Sequence, residues 1–140
     1  MDVSAFVARL QNRMTGMREI GAAAGLEAAM ASNLAAPAAY VIPLAETGTV
    51  IESLGETDEL EHRLFGVISV VETRDPAGAD AVLGLAEVRR QIKDALIGFV
   101  PDEATGEPVI FMGGEIVQFK GDGRLWWSDE FQLKSYYRSA

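Results

Sequence analysis

Apolar positions recur every three or four residues at the start of the chain. Val3, Phe6, Val7, Leu10 and Met14 make one stripe, with Arg9, Gln11 and Arg13 elsewhere on the wheel. That spacing predicts an amphipathic helix, capped by Asp2 or Ser4 and stopped at Gly16. A short strand is expected around Arg18–Ile20. The alanine-rich run from Ala22 to Ala36 favours a helix over Leu26–Ser32, ending near Asn33 and Pro37. Tyr40, Ile42 and Leu44 share one face of a strand expected over Ala38–Leu44. Pro43 cannot donate a ladder hydrogen bond, so this strand lies at an edge or closes there.

From Ala45 to Glu59 the apolar content falls to Val50, Ile51 and Leu54. A loop of about fifteen residues is long for a compact domain; it either orders against a partner or extends the neighbouring strands into an arm. His62 to Thr73 then reads as a strand that is apolar on both faces at its centre, as in the middle of a sheet. Asp75-Pro76-Ala77-Gly78 turns the chain into the main helix. Its stripe is Ala81, Leu85, Val88, Ile92 and Leu96, with Gly98 at its C-terminal end and Pro101 beyond.

Two short strands, Pro108–Met112 and Glu115–Lys120, are expected on either side of a Gly113-Gly114 hairpin turn, and Gly121-Asp122-Gly123 makes the next turn. In the last strand Leu125, Trp127, Phe131, Leu133 and Tyr137 alternate with Trp126, Ser128, Glu130, Gln132, Lys134, Tyr136 and Arg138. The first set is expected to face the core and the second to face out, leaving Trp126 and Tyr136 as large, outward-facing aromatics, unless a covering helix buries Trp126. Asp129 interrupts the apolar face and predicts a bulge or bend.

The resulting order is α-β-α-β-β-α-β-β-β. It indicates an α+β fold, a mostly antiparallel or mixed sheet with two main helices on one face, in a single domain over residues 1–140. The candidate core is Phe6, Leu10, Ile42, Val67, Leu85, Ile92, Trp127, Phe131 and Leu133.

Charge changes the picture more than composition does. Twelve basic and twenty-one acidic residues give a net charge of −9, a balance that repels phosphate and argues against tight binding of DNA or anionic membrane. There is no cysteine, so neither disulfides nor thiolate-bound zinc contribute. The N-terminus has no basic segment followed by an apolar run, and no apolar stretch reaches the roughly 18 residues of a membrane span. The expectation is a protein that is soluble when made.

Candidate chemistry is sparse. His62 is the lone histidine and, between Glu61 and Arg63, reads as a solvated strand residue. The carboxylates Glu52, Glu56, Asp58, Glu59 and Glu61 are those of a solvated loop more readily than of a magnesium site, which needs converging ligands and phosphate. No nucleophile elbow, phosphate-binding loop or dinucleotide fingerprint occurs. Arg89, Arg90 and Lys93 read as a solvent-facing helix segment with ion pairs Glu87–Arg90 and Arg90–Asp94. No catalytic residue, metal ligand or cofactor site is expected. An outward Trp126 beside Tyr136 instead suggests an anchor for a protein interface.

Several segments together resemble the tail terminator proteins of long-tailed bacteriophages. Residues 36–46, APAAYVIPLAE, follow the family pattern P-A-[AV]-[YF]-V-x-P-x-x-E. A strand of the form R-F-x-V-x-x-V follows at Arg63 to Val71, here with Leu64 before Phe65. L-x-G-[WF]-x-P falls at Leu96 to Pro101, P-[LV]-x-[FY]-x-G-G-x-[LI] at Pro108 to Ile116, and L-W-W-x-[DE]-x-F at Leu125 to Phe131. Each motif is weak alone; their order and spacing cover nearly the whole chain.

The resemblance implies a virion structural protein without a catalytic residue. Such a protein forms a hexameric ring on the finished tail tube, stops its polymerisation and presents the surface for head docking. It would contact copies of itself, the tail tube protein and a head-completion or connector protein. It would reside at the tail–neck junction after assembly in the host cytoplasm, with genome DNA passing an acidic lumen without specific binding. On this view the loop residues Glu52, Leu54, Glu56 and Asp58, with Trp126 and Tyr136, are candidate subunit or partner contacts. Two other readings stay open from the residues themselves. One is another phage neck or tail component; the other is a small ligand-binding or enzymatic α+β domain, with Glu61, His62 and Arg63 as its nearest candidates.

Overall fold

The computed structural model describes residues 2–32, 35–50, 59–102, 106–119 and 123–137. Its elements are α1 (Ser4–Arg13), β1 (Glu19–Ala22), α2 (Leu26–Ser32), β2 (Ala38–Val50), β3 (Glu59–Glu72), α3 (Ala79–Leu96), β4 (Ile110–Phe119) and β5 (Arg124–Tyr137). The strands form one mixed sheet in the order β1-β2-β3-β5-β4. Only the β1–β2 pair is parallel. The apolar run of β3 occupies the centre of this sheet, as two buried faces require.

Helices α1 and α3 pack on one face. Phe6, Leu10, Leu85, Val88, Ile92 and Leu96 meet Val41, Phe65, Val67, Phe131 and Leu133 in the main core. A row of phenylalanines crosses that face. Phe6 stacks on Phe65 at 3.9 Å between ring centroids, and Phe131 lies 5.5 Å from both Phe65 and Phe111. The last three are register partners on β3, β5 and β4, so each ring adds large apolar area to the ladder that sets the register. Arg9 places its guanidinium 4.7 Å above the Phe99 ring and donates to the Ala95 carbonyl at 2.9 Å, tying α1 to the end of α3.

A second, smaller core lies on the opposite face. There α2 brings Ala29, with Ala36 beside it, over Ala38, Tyr40, Ile42, Ile68, Val70 and Trp126. Trp126 is therefore only 4% exposed, which corrects the expectation of an exposed interface anchor in favour of the alternative, burial under a covering helix. It does point away from Trp127, as strand alternation dictates, but α2 covers its face. Trp127 packs at the margin of the main core and is half-buried, less deep than expected. Tyr136 is exposed as anticipated.

The expected class and the order through α3 are observed; the end of the chain differs in one respect. Gly113-Gly114 is no hairpin turn but part of one continuous strand, β4, in place of two short ones. The register of β4 against β5 slips twice, between Phe111 and Gly113 and between Ile116 and Gln118. These are bulges, and Gly113 takes φ 146° at the first, a conformation open to glycine. β5 itself pairs with β3 without a break from Arg124 to Tyr137, so the irregularity expected at Asp129 lies on its neighbour.

The polar segment after Leu44 continues the ladder. β2 runs to Val50, pairing Ala45 with Leu64 and Val50 with Glu59, so the neighbouring strands extend into an arm. Leu44 to Thr49 are exposed, and Arg63 pairs with Glu46 at 3.3 Å and Glu61 at 3.0 Å. Such half-exposed pairs contribute little. Backbone bonding holds the arm, not burial.

Candidate functional site

One side of α3 overhangs the β4–β5 edge of the sheet, and an ion pair with a buried carboxylate joins them there. Asp129 lies on the apolar face of β5 between Trp127 and Phe131 and has no exposed surface. A carboxylate in that position needs a cation and full hydrogen bonding. Arg89 supplies both. Its Nε lies 3.1 Å from each carboxylate oxygen and its Nη2 lies 2.8 Å from Oδ1. The Trp127 indole N–H donates to the same Oδ1 at 3.1 Å, and the guanidinium sits 4.4 Å over the Trp127 ring. The site is a locked bracket between α3 and β5.

Gly114 completes the bracket by lacking a side chain. It is the register partner of Asp129, and a Cβ there would fall 2.3 Å from Asp129 Oδ1, 2.7 Å from Trp127 Nε1 and 3.0 Å from Arg89 Nη2. Only glycine fits.

Beyond the bracket an apolar groove of about 330 Å³ opens between the start of α3 and β4. Its walls include Val82, Leu85, Ala86, Ile116, Leu125 and Trp127. Among the described residues polar groups do not converge in it as a catalytic pocket would require; Arg89 is the one charged residue among those described on its wall, and that group is already engaged by Asp129. What the groove can do is bind apolar surface.

The other basic residues of α3 are occupied too. Arg90 bonds Glu87 and Asp94 at 2.6 and 2.7 Å, the two pairs expected from helical spacing. The hydrogen bond and charge of Glu87 raise the Arg90 pKa, and the same contact lowers that of Glu87. Lys93 lies 4.5 Å over the Phe111 ring. At the start of α3, Asp80 accepts from the Thr73 hydroxyl and from the Arg74 N–H at 3.2 Å. These bonds, the hydroxyl first, hold its carboxyl below the usual carboxylate range. No open basic patch results on the described surface of α3.

The candidate residues divide plainly. His62 sits within β3, 3.4 Å from Gln132, and Arg63 is paired with Glu46 and Glu61; none of Glu61, His62 and Arg63 lines the groove described above. Glu52, Leu54, Glu56 and Asp58 lie outside the described residues. Tyr136 is exposed on β5 with its hydroxyl 3.4 Å from Glu107. Trp126 is internal. Among the described residues no group of three or more histidines or acids is placed to hold a metal, and no helix is long and apolar enough to cross a membrane.

The Arg89–Asp129–Trp127–Gly114 bracket is not legible as a unit in the sequence, though it leaves a signal there. An acid two residues after a tryptophan on an apolar strand face asks for a buried cation, and Arg89 faces the same side of α3 as Ala86 and Lys93. The pattern does not say that these positions meet, because Asp129 is 40 residues from Arg89.

Two of the motifs quoted for the resemblance, the G-G of β4 and the W-W-x-[DE] of β5, thus carry the glycine, tryptophan and acid of one structural bracket. No curated protein matches the chain. A protein-family model described as phage tail terminator protein matches residues 1–139. The chain belongs to the phage tail terminator family and is a phage tail-assembly protein.

Proposed function

We propose that this protein caps the tail tube as a ring of identical subunits, ends tube polymerisation and forms the surface on which the head docks. The observation that carries the reading, beside family membership, is the arm. From Leu44 to Thr49 the outer strand of the sheet is exposed along its length, so it buries little of its own chain. A ladder maintained without a core is suited to contact with another subunit or with the tube. Glu52, Leu54, Glu56 and Asp58, which follow β2 in the chain, belong to the same contact in this reading, and Tyr136 lies on the same extended end of the sheet.

The absence of converging polar groups in the α3–β4 groove favours assembly over catalysis. The net charge of −9 suits a lumen along which DNA slides without being held. The proposed ring has six members, by analogy with the family the chain resembles.

Native mass spectrometry over a concentration series, with negative-stain imaging of the largest species, tests the proposal. The expected result is a six-membered ring with a central hole, alone or on added tube protein. A stable closed dimer or trimer under both conditions would sink it. In a producing strain lacking this chain, tubes of uncontrolled length without heads are expected.

A further inference from the structure

A five-stranded sheet has two ends, and among the described residues both have stretches with no strand beside them. At one end lies β4, with no other strand beside it among the described residues. Proteins that stay monomeric blunt such an edge with lysine, proline or charge. Residues 110–119 contain no lysine, arginine or proline and a single glutamate. Instead Ile110, Met112 and Ile116 are 45%, 50% and 56% exposed. The two bulges of β4 break its outer edge into short segments, which restricts pairing to a partner of matching shape.

At the other end, β1 covers β2 only from Ala38 to Val41. Ala23 adds one bond to the Val41 carbonyl. From Ile42 to Val50 the outer side of β2 has no strand beside it among the described residues, and Leu44 is exposed.

We propose, on the ring reading above, that β4 of one copy pairs with the free stretch of β2 of the next. The occupant of each edge is a second copy of this chain because every copy carries both halves of the joint, at opposite ends of one sheet. Their lengths correspond. The apolar residues also agree in side. Ile110 pairs with Gln132, on the face of β5 that carries Trp126. Leu44 lies with Ile42 over Gly66, on the face covered by α2. In a continuous sheet Ile110 and Leu44 fall on the same surface. Joining unlike edges makes a head-to-tail contact, which closes as a ring when the rotation allows. Joining β4 to β4 would stop at a two-fold dimer.

The lack of cysteine makes a clean test, because each introduced thiol is unique. Thr47→Cys and Glu115→Cys place thiols on the two edges at exposed positions. Each variant is treated with a short bismaleimide alone and after mixing, at high salt to screen the repulsion between acidic copies. The mixture should give a covalent dimer containing one of each, and neither variant alone should. Adding Ile110→Lys and Met112→Lys to the Glu115→Cys chain should lower that yield tenfold or more without moving its melting temperature.

Self-crosslinking of Glu115→Cys would overturn the proposal in favour of a two-fold β4 joint. Rings seen by native mass spectrometry without the mixed product would overturn it while leaving the ring reading intact. A chain that stays monomeric at every concentration and on tube protein would overturn both.

Discussion

Trp126→Ala is expected to destabilise the free subunit by about 3–5 kcal/mol, the usual cost of emptying a buried tryptophan site. For a chain of this size that is a fall of roughly 10–20 °C in melting temperature. The reason is the second core. Trp126 is enclosed with Ala29, Ala36, Tyr40, Ile68 and Val70, and the small residues brought by α2 and the segment after it cannot collapse far to fill the space. Differential scanning calorimetry of the free variant is the direct measurement. A melting temperature within a degree or two of the parent, with assembly lost, would mean that Trp126 acts between subunits and that α2 does not cover it in solution.

Gly114→Ala should be of similar size although it adds one methyl group. The methyl cannot coexist with the Asp129 carboxylate, whose Oδ1 would lie 2.3 Å away. Either β4 moves off β5, or Asp129 gives up its bonds to Arg89 and Trp127. Breaking a buried ion pair and leaving its acid in place costs about 3–5 kcal/mol. Two controls make the claim specific. In an Asp129→Ala background the same substitution should cost less by more than about 1 kcal/mol, because both changes remove one pair and such effects do not add. Gly84→Ala, on the exposed side of α3 with nothing within 4 Å of the new Cβ, should instead stabilise by about 0.5–1 kcal/mol. A Gly114→Ala chain as stable as the parent in urea would remove the bracket as the reason for glycine at this position.

Both changes concern elements that hold the sheet in shape, and that shape is what an assembly protein offers. The bracket fixes α3 to β5 beside the β4 edge, while the α2 core supports the opposite face near the free stretch of β2. In the ring proposed above, loosening either should weaken assembly before the subunit unfolds, because the two edges would no longer meet their counterparts at a constant angle.

Much of this was legible in the residues. The stripes Phe6–Leu10 and Ala81–Leu96 and the two-faced apolar strand at β3 follow from periods of 3.6 and 2, which local backbone geometry imposes, and the bounds of α2 follow from alanine propensity and the breakers after it. The family could also be read, since its motifs mark turns, caps and strand centres in order. Alternation likewise told Trp126 from Trp127 by face. It could not tell that Trp126 would be covered, because a period records which residues share a face and not which element lies over it. Gly113-Gly114 reads as a hairpin turn and is not one, for a related reason. A tight turn and a bulged strand packed under a side chain both call for glycine, and only the position of Asp129 across the ladder separates them. Asp129 itself was visible as an anomaly in an apolar face, but its answer, Arg89, lies on another element. The sequence by itself therefore determined the elements, their apolar faces and the class of fold, since these depend on neighbours along the chain. The second core, the bracket and the two open sheet edges were decided by tertiary structure alone, because each depends on which distant backbones come to lie side by side.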